Sequence, residues 1–339
     1  MISIVGAGAS GLVMERICQI NNWPHQLFSP SLPNPGNRSI LLNPSSIDFL
    51  HSLGFSLPNL KPFKTIKITQ QKSFFHLAIH AQDFQQEALC YKISMTDLLK
   101  TLSQYSQPIS ELVQNKQRTL EGYQLITDKG SYSSQQIVAC DGSDSKMRTL
   151  SAISLDTRRP YHIAIYRADV EANSLIQRYT SNHILAVIPG RPGTIIVSSS
   201  SPTPPNDLEA LLKHHASIKN LSPPYLHKIT PSIAHSCFQD NTLLLANAAL
   251  TIEPVAAQGL NHALMQLQMI KSLSEYNTKT ISQLSSVLLK QNQNLYLAMD
   301  KLTRLSCLSR INRSTIFASS CLSSLACSEV WAFGSRYDT

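Results

Sequence analysis

The sequence lacks the long apolar, basic and signal-like stretches that mark several classes of protein. No run approaches the about eighteen uninterrupted apolar residues that a membrane-spanning helix needs. The opening residues MISIVGAGASG carry no charged region, so they do not predict a secretory signal. The net charge is +8, but the lysines and arginines are dispersed, and this excess gives no specific support for nucleic-acid binding.

Cysteine is scattered along the chain and never occurs as a C-x-x-C pair. There are 7 cysteines, and their odd number and spacing predict neither a disulfide framework nor a cysteine-based metal site. We interpret them as reduced thiols that pack as small hydrophobic groups in a cytoplasmic protein. No other pattern in the sequence predicts a bound metal.

The composition is that of a folded globular chain. Its 339 residues are 42% hydrophobic and 15% charged, which excludes a disordered chain and allows one large or two ordinary domains. The chain shows neither an internal repeat nor a low-complexity tail.

The N-terminal residues carry a glycine fingerprint. The apolar run ISIV predicts a buried strand, and LVMERICQI has the apolar spacing of a helix. Between them, Gly6, Gly8 and Gly11 match G-x-G-x-x-G, in which glycines allow a tight turn, a close approach of backbone to a pyrophosphate, and packing of helix on strand. We interpret this segment as a dinucleotide site; the alternative is a glycine-rich turn without a ligand.

The segment after the fingerprint departs from the dinucleotide pattern. The second strand, HQLF, is followed by Ser29, where an acidic residue usually holds a ribose hydroxyl. Arg38 follows the loop SLPNPGN and supplies a cation suited to a diphosphate. The alternative for Arg38 is a solvated loop side chain.

Two later segments place polar or glycine-bearing loops after buried strands. Asp141 and Gly142 follow the run IVAC, and the carboxyl end of a strand is where α/β sheets bind ligands; a plain Asp-Gly turn is the alternative. In LLLANAALTIEPVAAQGLN, a strand leads into a loop holding Pro254 and Gly259, and a helix is predicted from about Leu260. The first backbone N–H groups of that helix suit an anion or an electron-rich carbonyl edge.

The chain resembles the class A FAD-dependent monooxygenases with the p-hydroxybenzoate hydroxylase fold. The resemblance rests on four segments in order: GAGASG, NRSILLNPSSIDFLHSLGF, IVACDGSDSKMR and LLLANAALTIEPVAAQGLN. Within that family they look most like the ubiquinone-biosynthesis hydroxylases. The resemblance implies an α/β fold with a discontinuous Rossmann-like FAD-binding domain, an inserted β-sheet substrate domain and C-terminal helices.

Domain boundaries follow from this resemblance and from strand-like runs near 62–92 and 161–200. The FAD-binding domain is predicted at 1–60, 93–150 and 238–275, the substrate-binding sheet domain at 61–92 and 151–237, and the C-terminal helical region at 276–339.

The resemblance also implies which residues surround FAD. Those nearest its pyrophosphate region or lying against the cofactor are Gly6, Gly8, Gly11 and Arg38. Asp141 and Gly142 form the family's Asp-Gly motif, near the flavin and the reduced nicotinamide. Asn247 takes the position of a carboxylate that reaches the ribityl and pyrophosphate part. The residues expected to line the isoalloxazine are Pro254, Gln258, Gly259, Leu260 and Asn261.

This chain departs from the family pattern around the flavin loop. Ala246 and Ala257 stand where relatives often have glycine, so each adds a methyl group where the backbone needs a positive φ or a close approach. Asn247 in place of aspartate is familiar in the ubiquinone branch, and its amide can still hydrogen-bond ribityl hydroxyls. Leu250 and Glu253 stand where relatives often have polar or histidine side chains.

The function implied by the resemblance is hydroxylation of a polyprenylated phenol in ubiquinone biosynthesis. NADH or NADPH would reduce FAD, and the reduced flavin would react with O2 to give a C4a-hydroperoxide that transfers oxygen to the ring. The sequence assigns no catalytic residue. His162, His183 and His262 are candidates by location only, and a structural role is the alternative for each.

Two further functions and a membrane contact follow as alternatives. The chain could be a non-catalytic relative that binds a prenyl lipid or partner proteins, or a flavin oxidoreductase of the same fold with another apolar substrate. The segment 311–333 has apolar residues at near-helical spacing, which allows docking on the inner face of the cytoplasmic membrane or on a quinone-biosynthesis protein complex. Packing on its own domain is the alternative for that segment.

Overall fold

The computed structural model describes residues 1–32, 38–71, 76–205, 207–253 and 258–307. Strands and helices alternate at both ends of this range, and strands dominate its middle. The strands are β1 (Ile2–Val5), β2 (His25–Phe28), β3 (Ser39–Leu42), β4 (Lys61–Phe63), β5 (Thr65–Gln70), β6 (His76–His80), β7 (Cys90–Ser94), β8 (Val113–Thr119), β9 (Gly122–Thr127), β10 (Ser131–Ser134), β11 (Gln136–Ala139), β12 (Leu155–Thr157), β13 (Tyr161–Glu171), β14 (Leu175–Tyr179), β15 (His183–Ile188), β16 (Gly190–Ser199), β17 (Ser217–Lys219), β18 (Tyr225–Ile229), β19 (Ser232–Ala234), β20 (Phe238–Gln239), β21 (Thr242–Leu244) and β22 (Leu250–Thr251).

The helices carry most of their apolar residues on the side that faces a sheet or another helix. They are α1 (Ala9–Ile20), α2 (Pro44–Ser52), α3 (Met95–Ser103), α4 (Lys146–Leu150), α5 (Leu208–Leu212), α6 (Gln258–Lys271) and α7 (Thr278–Cys307). None of the helices in the described ranges has the length and apolarity needed to cross a bilayer.

A five-stranded sheet forms the centre of the first of two halves of the described structure. Its order is β2-β1-β11-β21-β20, with the first four strands parallel and β20 antiparallel at one edge. β1, β11 and β21 are buried along their whole length, as apolar strands of a parallel sheet covered on both faces are. Helices α1 and α6 pack against each other beside this sheet. The predicted α/β fold class is thereby confirmed.

An eight-stranded sheet forms the second half. Its order is β17-β13-β16-β15-β14-β5-β6, and β18 also pairs with β13. One face, the outer face, carries Tyr166, Leu185 and Ile195 and packs against α5 through Leu208 and Leu212. Because side chains alternate along a strand, the intervening residues form the opposite, inner face.

The inner face is directed toward the half that contains the five-stranded sheet. Leu175 and Ile188 on this face pack with Phe63 and Cys90, which belong to the small antiparallel sheet β3-β7-β4. The backbone N–H of Ser39 in β3 donates to Thr194 Oγ1 at 3.2 Å. The two halves therefore meet across the inner face.

Two further small sheets complete the architecture. Strands β8, β9 and β10 form an antiparallel meander between α3 and β11, and β12, β19 and β22 form the other sheet. The latter joins strands from the predicted substrate-binding and FAD-binding ranges. The domain boundaries themselves stay a prediction.

The cysteines that the structure describes in side-chain detail behave as predicted. Cys18, Cys90, Cys140 and Cys237 are free and buried. Burial raises the pKa of the Cys18, Cys90 and Cys237 thiols to about 12, so they stay protonated at neutral pH and act as small hydrophobic groups.

Candidate functional site

Three loops that the sequence singled out meet at one edge of the five-stranded sheet. Val5 is paired with Ala139, and Ala139 with Leu244, so the carboxyl ends of β1, β11 and β21 lie side by side. The backbone continues this register beyond the strands, since Cys140 N donates to Val5 O at 2.8 Å and Leu245 N donates to Ala139 O at 3.0 Å. The carboxyl edge of a parallel sheet is where α/β proteins bind ligands.

Two of the three fingerprint glycines are required by packing. Gly6 has φ of +102°, and a Cβ added there would lie 2.5 Å from Cys140 O. A Cβ on Gly11 would lie 1.8 Å from Gly6 O. These glycines let the first turn of α1 approach β1 and β11 more closely than any side chain allows.

Gly8 differs from the other two glycines because a side chain there would not contact the described chain. A Cβ added there would meet no atom within 4 Å, and Gly8 is the N-cap of α1 without any side-chain cap bond. The first N–H groups of a helix lack intrahelical partners and carry the positive end of its dipole. The turn therefore presents backbone donors to an open space suited to a pyrophosphate.

Asp141 lies beside this opening with one carboxylate oxygen unsatisfied. Its Oδ2 accepts a hydrogen bond from Met147 N at 3.0 Å. Its Oδ1 is buried and has no hydrogen-bond partner among the described residues, although buried polar atoms are almost always paired. Gly142 follows with φ of +88°, and a Cβ added there would meet no atom within 4 Å, so the Asp-Gly turn leaves open space beside Gly142.

Arg148 ties two of the converging loops together. Its Nη1 donates to Ala248 O at 3.0 Å and its Nη2 donates to Ser143 O at 2.7 Å. Burial lowers the pKa of Arg148, and the nearby carboxylates of Asp141 and Asp144 oppose this shift. Sequence reasoning missed Arg148, although its place in IVACDGSDSKMR, shortly after the Asp-Gly pair, was a signal that could have identified it.

The segment that follows β21 begins with a strained residue. Residues 246–248 form a short 3-10 turn after β21, and Ala246 has φ of +51°. This is the left-handed region that favours glycine, so of the two explanations offered for glycine at this position, the positive φ is the one that the structure shows at Ala246. Its N–H donates to Gln266 Oε1 at 2.9 Å. The side chain of Asn247 is exposed next to it.

We expect Ala246→Gly to stabilise the protein. Removing the methyl group from a left-handed residue should raise the free energy of unfolding by about 1 kcal/mol, measured by urea unfolding. Ala248→Gly is the matched control, because Ala248 lies in the same turn, is fully buried and should lose stability instead. Equal losses of stability in both variants would contradict the strain at Ala246.

The start of α6 places four of the five predicted isoalloxazine residues, Gln258 to Asn261, in one helical turn. The helix begins at Gln258, earlier than the Leu260 start predicted from sequence, because Gly259 joins its first turn without a left-handed φ. A Cβ on Gly259 would meet no atom within 4 Å. Pro254 and Ala257 lie outside the described residues.

Asn261 also uses its side chain to hold α6 in place. Its Oδ1 accepts hydrogen bonds from Asn43 N at 3.0 Å and Ser46 Oγ at 2.9 Å, and its Nδ2 donates to Leu41 O at 3.1 Å. These bonds fix the first turn of α6 against the junction of β3 and α2. Asn261 therefore positions the N-terminus of α6 against the junction of β3 and α2.

Arg38 and Ser29 lie at the margins of this site. Arg38 is exposed, and its carbonyl oxygen accepts from Met95 N at 2.9 Å, which anchors its backbone directly before β3. Ser29 follows β2, and its hydroxyl donates to Ser31 O at 2.7 Å. The Ser29 side chain is thus hydrogen-bonded within its own loop. It occupies the position where the dinucleotide pattern usually has an acidic residue that holds a ribose hydroxyl.

Leu250 and Glu253, the two residues that depart from the family pattern after β21, help to hold α7 in place. Leu250 joins Met299 in a small hydrophobic cluster. Glu253 is 2% exposed, and its Oε1 lies 2.9 Å from Arg158 Nη1. Arg158 also stacks over the ring of Tyr296 at 3.6 Å. The ion pair with Glu253 and the stacking on Tyr296 therefore connect the end of the segment after β22 with α7 through Arg158.

His262 lies in a buried polar network between α6 and α7. Its Nε2 is 2.7 Å from Asn292 Oδ1, and Gln266 Nε2 donates to the same oxygen at 2.8 Å. The Asn292 Nδ2 group donates to Cys237 Sγ at 3.3 Å, so Oδ1 is the acceptor and His262 Nε2 carries a proton. Burial lowers the pKa of His262 and keeps the ring neutral. Through Gln266 this network supports Ala246.

The other two histidine candidates lie on the outer face of the eight-stranded sheet. His162 and His183 both pair with Ser199 and share the face that packs on α5. This face is directed away from the converging loops. The structure therefore separates His162 and His183 from the candidate site.

The inner face contributes an aliphatic surface with one polar pair. Ile165, Ile196 and Ala186 are neighbours across three strands and are half-buried. Beside them, Gln177 Nε2 donates to Tyr179 Oη at 2.8 Å. Burial raises the pKa of Tyr179, so its hydroxyl keeps its proton at neutral pH. Because its oxygen already accepts from Gln177, that proton is directed to another acceptor.

Sequence comparisons found no relative, whereas structural comparisons found many. No protein-family model matches the chain, and no curated protein matches it in sequence. Among similar solved structures is 2,6-dihydroxypyridine-3-hydroxylase from Arthrobacter nicotinovorans, with a TM-score of 0.73 and 13% identity over 93% of this chain and 95% of that chain.

Two further structures show the same likeness. HpxO from Klebsiella pneumoniae, complexed with FAD and uric acid, has a TM-score of 0.74 and 13% identity over 91% of this chain and 90% of its own. The p-nitrophenol 4-monooxygenase PnpA from Pseudomonas putida DLL-E4 has a TM-score of 0.72 and 10% identity over 96% and 93%. At such identities the likeness concerns the fold. The chain has the α/β fold of the FAD-binding monooxygenases.

Proposed function

We propose that this protein is an FAD-dependent monooxygenase that hydroxylates an aromatic ring. The observation that carries the proposal is the convergence of the loops after β1, β11 and β21 at one sheet edge, with open space beside Gly8 and Gly142 and a buried carboxylate oxygen of Asp141 left without a partner among the described residues. The fold shared with monooxygenases and hydroxylases supports it.

The residues present fit FAD. Gly8 and the uncapped first turn of α1 provide backbone donors for a pyrophosphate. Asp141 Oδ1 provides an acceptor for a hydroxyl or a bound water, and the exposed side chain of Asn247 lies after the neighbouring strand. Gly259 leaves the N-terminus of α6 open to the edge of a planar ring system. Arg38 adds a cation at the rim.

Bound FAD would supply the redox chemistry, accepting a hydride from NADH or NADPH and activating O2. The chain binds and orients it through the backbone of the glycine turn and of α6. Arg148 holds the Asp-Gly turn against residues 246–248, and the aliphatic inner face excludes water from the space beside the ring.

The substrate we propose is a polyprenylated phenol of ubiquinone biosynthesis. The aliphatic row Ile165, Ile196 and Ala186 suits an apolar ligand, and the Tyr179 hydroxyl suits its phenol oxygen. The structurally similar proteins named above act on or bind dihydroxypyridine, p-nitrophenol and uric acid. These compounds support a substrate with a planar ring. The protein would act in the cytoplasm, with contact to the inner face of the membrane or to a quinone-biosynthesis complex where such a substrate resides.

The spectrum of the purified full-length protein tests the proposal. We expect a flavin absorption spectrum that co-purifies with the protein or appears on adding FAD, and that bleaches with NADH or NADPH in the absence of O2. A colourless protein that takes up no added FAD would overturn the proposal in favour of a non-catalytic lipid- or protein-binding relative. Restored quinone production in a hydroxylase-deficient cell would separate the proposed substrate from another apolar one.

We expect Tyr179→Phe to lower kcat/KM about tenfold to 100-fold with a farnesyl-substituted phenol. The loss of one hydrogen bond to the substrate oxygen, about 1–3 kcal/mol, sets this range. FAD affinity should not change. Tyr166→Phe is the matched control, since Tyr166 is a buried tyrosine on the outer face. Equal effects of the two variants on kcat/KM would remove Tyr179 from the substrate site.

A further inference from the structure

A row of polar side chains crosses the outer face of the eight-stranded sheet at its β6 end. His76 pairs with Thr69, and Thr69 pairs with Arg178, so the three side chains are neighbours on adjacent strands. Lys67 lies two positions before Thr69 and points to the same face. This polar row continues the apolar surface that packs on α5.

Arg178 is held in place but only partly satisfied. Its Nη1 donates to Thr69 Oγ1 at 3.2 Å. Its Nε is buried and has no hydrogen-bond partner in the part of the chain that the structure describes. A guanidinium group has five donors in a fixed plane, so a fixed Arg178 with a buried unpaired Nε leaves capacity for an acceptor.

Two histidines from another element complete the cluster. His214 and His215 follow α5, and His215 N donates to Leu212 O at 2.8 Å. Leu212 packs on the outer face, which places His215 above the row. Burial lowers the pKa of His215, and the positive charges of Arg178, His214, His76 and Lys67 lower it further. No carboxylate in the described ranges contributes to that shift.

An uncompensated cluster of this kind destabilises the folded chain. Cations on three strands and on the segment after α5 face one another, and each protonated histidine adds to the repulsion. A bound anion removes this penalty and accepts the free donors in charge-assisted hydrogen bonds.

We propose that Lys67, His76, Arg178, His214 and His215 form a binding site for a dianionic oxyanion, such as a phosphate monoester. The Thr69 hydroxyl orients Arg178 toward the anion. The site lies on the face directed away from the converging loops, so it is separate from the proposed flavin site and does not depend on it. Its affinity rises as the pH falls, because protonation of His215 then adds positive charge to the site.

Sulfate is the first probe, since its charge stays constant near neutral pH. Isothermal titration calorimetry of the full-length protein should give at least about tenfold tighter sulfate binding at about pH 6 than at about pH 8. Sodium chloride at equal ionic strength should not compete to the same extent, because screening acts on all charges alike. Equal affinities at the two pH values would contradict a site built from histidines.

Two variants identify the site and one controls for general charge. Arg178→Gln should weaken sulfate binding at least about tenfold. Lys67→Gln, an exposed change on β5 that leaves the fold undisturbed, should weaken it about threefold to tenfold. Lys228→Gln removes an exposed cation from β18, across three strands from Arg178, and should leave binding unchanged. If both test variants bind sulfate as tightly as the wild type, the proposal is overturned.

Two phosphate compounds distinguish a soluble ligand from a lipid headgroup. If calorimetry detects binding of glycerol 3-phosphate, and Lys67→Gln weakens this binding, the ligand is a soluble phosphate ester. If the protein sediments with phosphatidic acid vesicles but not with phosphatidylcholine vesicles, and Lys67→Gln weakens this sedimentation, the ligand is a membrane surface. Absence of binding to sulfate, to glycerol 3-phosphate and to both vesicles at about pH 6 would overturn the proposal.

Discussion

Gly8→Ala is expected to leave the protein folded and to weaken FAD binding about 100-fold, about 2.7 kcal/mol. The added methyl group meets no atom of the described chain within 4 Å and instead enters the space in front of the first turn of α1. Its cost to folding should stay within about 1 kcal/mol, the difference between glycine and alanine at an N-cap. Urea unfolding and fluorescence-quenching titration with FAD would measure the two effects.

Gly11→Ala is expected to show the opposite pattern. Its Cβ would lie 1.8 Å from the backbone oxygen of Gly6, and neither backbone segment can move without disturbing β1. We expect a loss of about 3 kcal/mol or more in the free energy of unfolding, seen as a lower urea midpoint or as insoluble protein.

The two glycine variants together separate a ligand site from a plain glycine turn. If Gly8→Ala binds FAD as tightly as the wild type, the open space before α1 does not hold the pyrophosphate, and the turn serves only packing. If Gly11→Ala is as stable as the wild type, the close approach of α1 to β1 is not required for the fold.

Arg148→Met is expected to lower the free energy of unfolding by about 3 kcal/mol and to weaken FAD binding. The substitution leaves Ser143 O and Ala248 O without their donor and leaves the buried Asp141 without the neighbouring positive charge. Because Arg148 connects the Asp-Gly turn with residues 246–248, both loops should lose their fixed separation. Urea unfolding and FAD titration of the same preparation would report both losses.

Two controls accompany this variant. Arg118→Met removes an exposed arginine from β8 and should change stability by no more than about 0.5 kcal/mol. Arg148→Lys keeps the charge but replaces a planar fork by a single ammonium, so it should lie between Arg148→Met and the wild type. Equal stability of Arg148→Met and Arg118→Met would show that the connection between the two loops does not matter.

Local chemistry predicted several elements correctly. The run ISIV, the glycines and the apolar spacing of LVMERICQI predicted β1, a turn and α1, because backbone sterics and helical periodicity act over a few residues. For Ala246 the sequence left two explanations open, a positive φ or a close approach of the backbone, and the structure shows the positive φ.

The start of α6 was predicted less accurately. Gly259 was expected in the loop before the helix, but it lies within the first turn. Glycine marks loops because of its conformational freedom, and nothing in the local sequence shows whether that freedom is used. The bonds that fix this turn come from Asn261 to Leu41 and Asn43, which are distant in sequence.

The sequence by itself determined that three loops each follow a buried strand: a glycine turn, an Asp-Gly turn and the loop that leads to α6. Only the tertiary structure decided that these loops share one edge, because the register of β1, β11 and β21 depends on hydrogen bonds between distant segments. It also decided that Tyr179 lies on the inner face of the eight-stranded sheet while Arg178 and His183 lie on the outer face. Alternation along a strand separates neighbours onto two faces, but only packing against α5 and β3-β7-β4 determines which face is which.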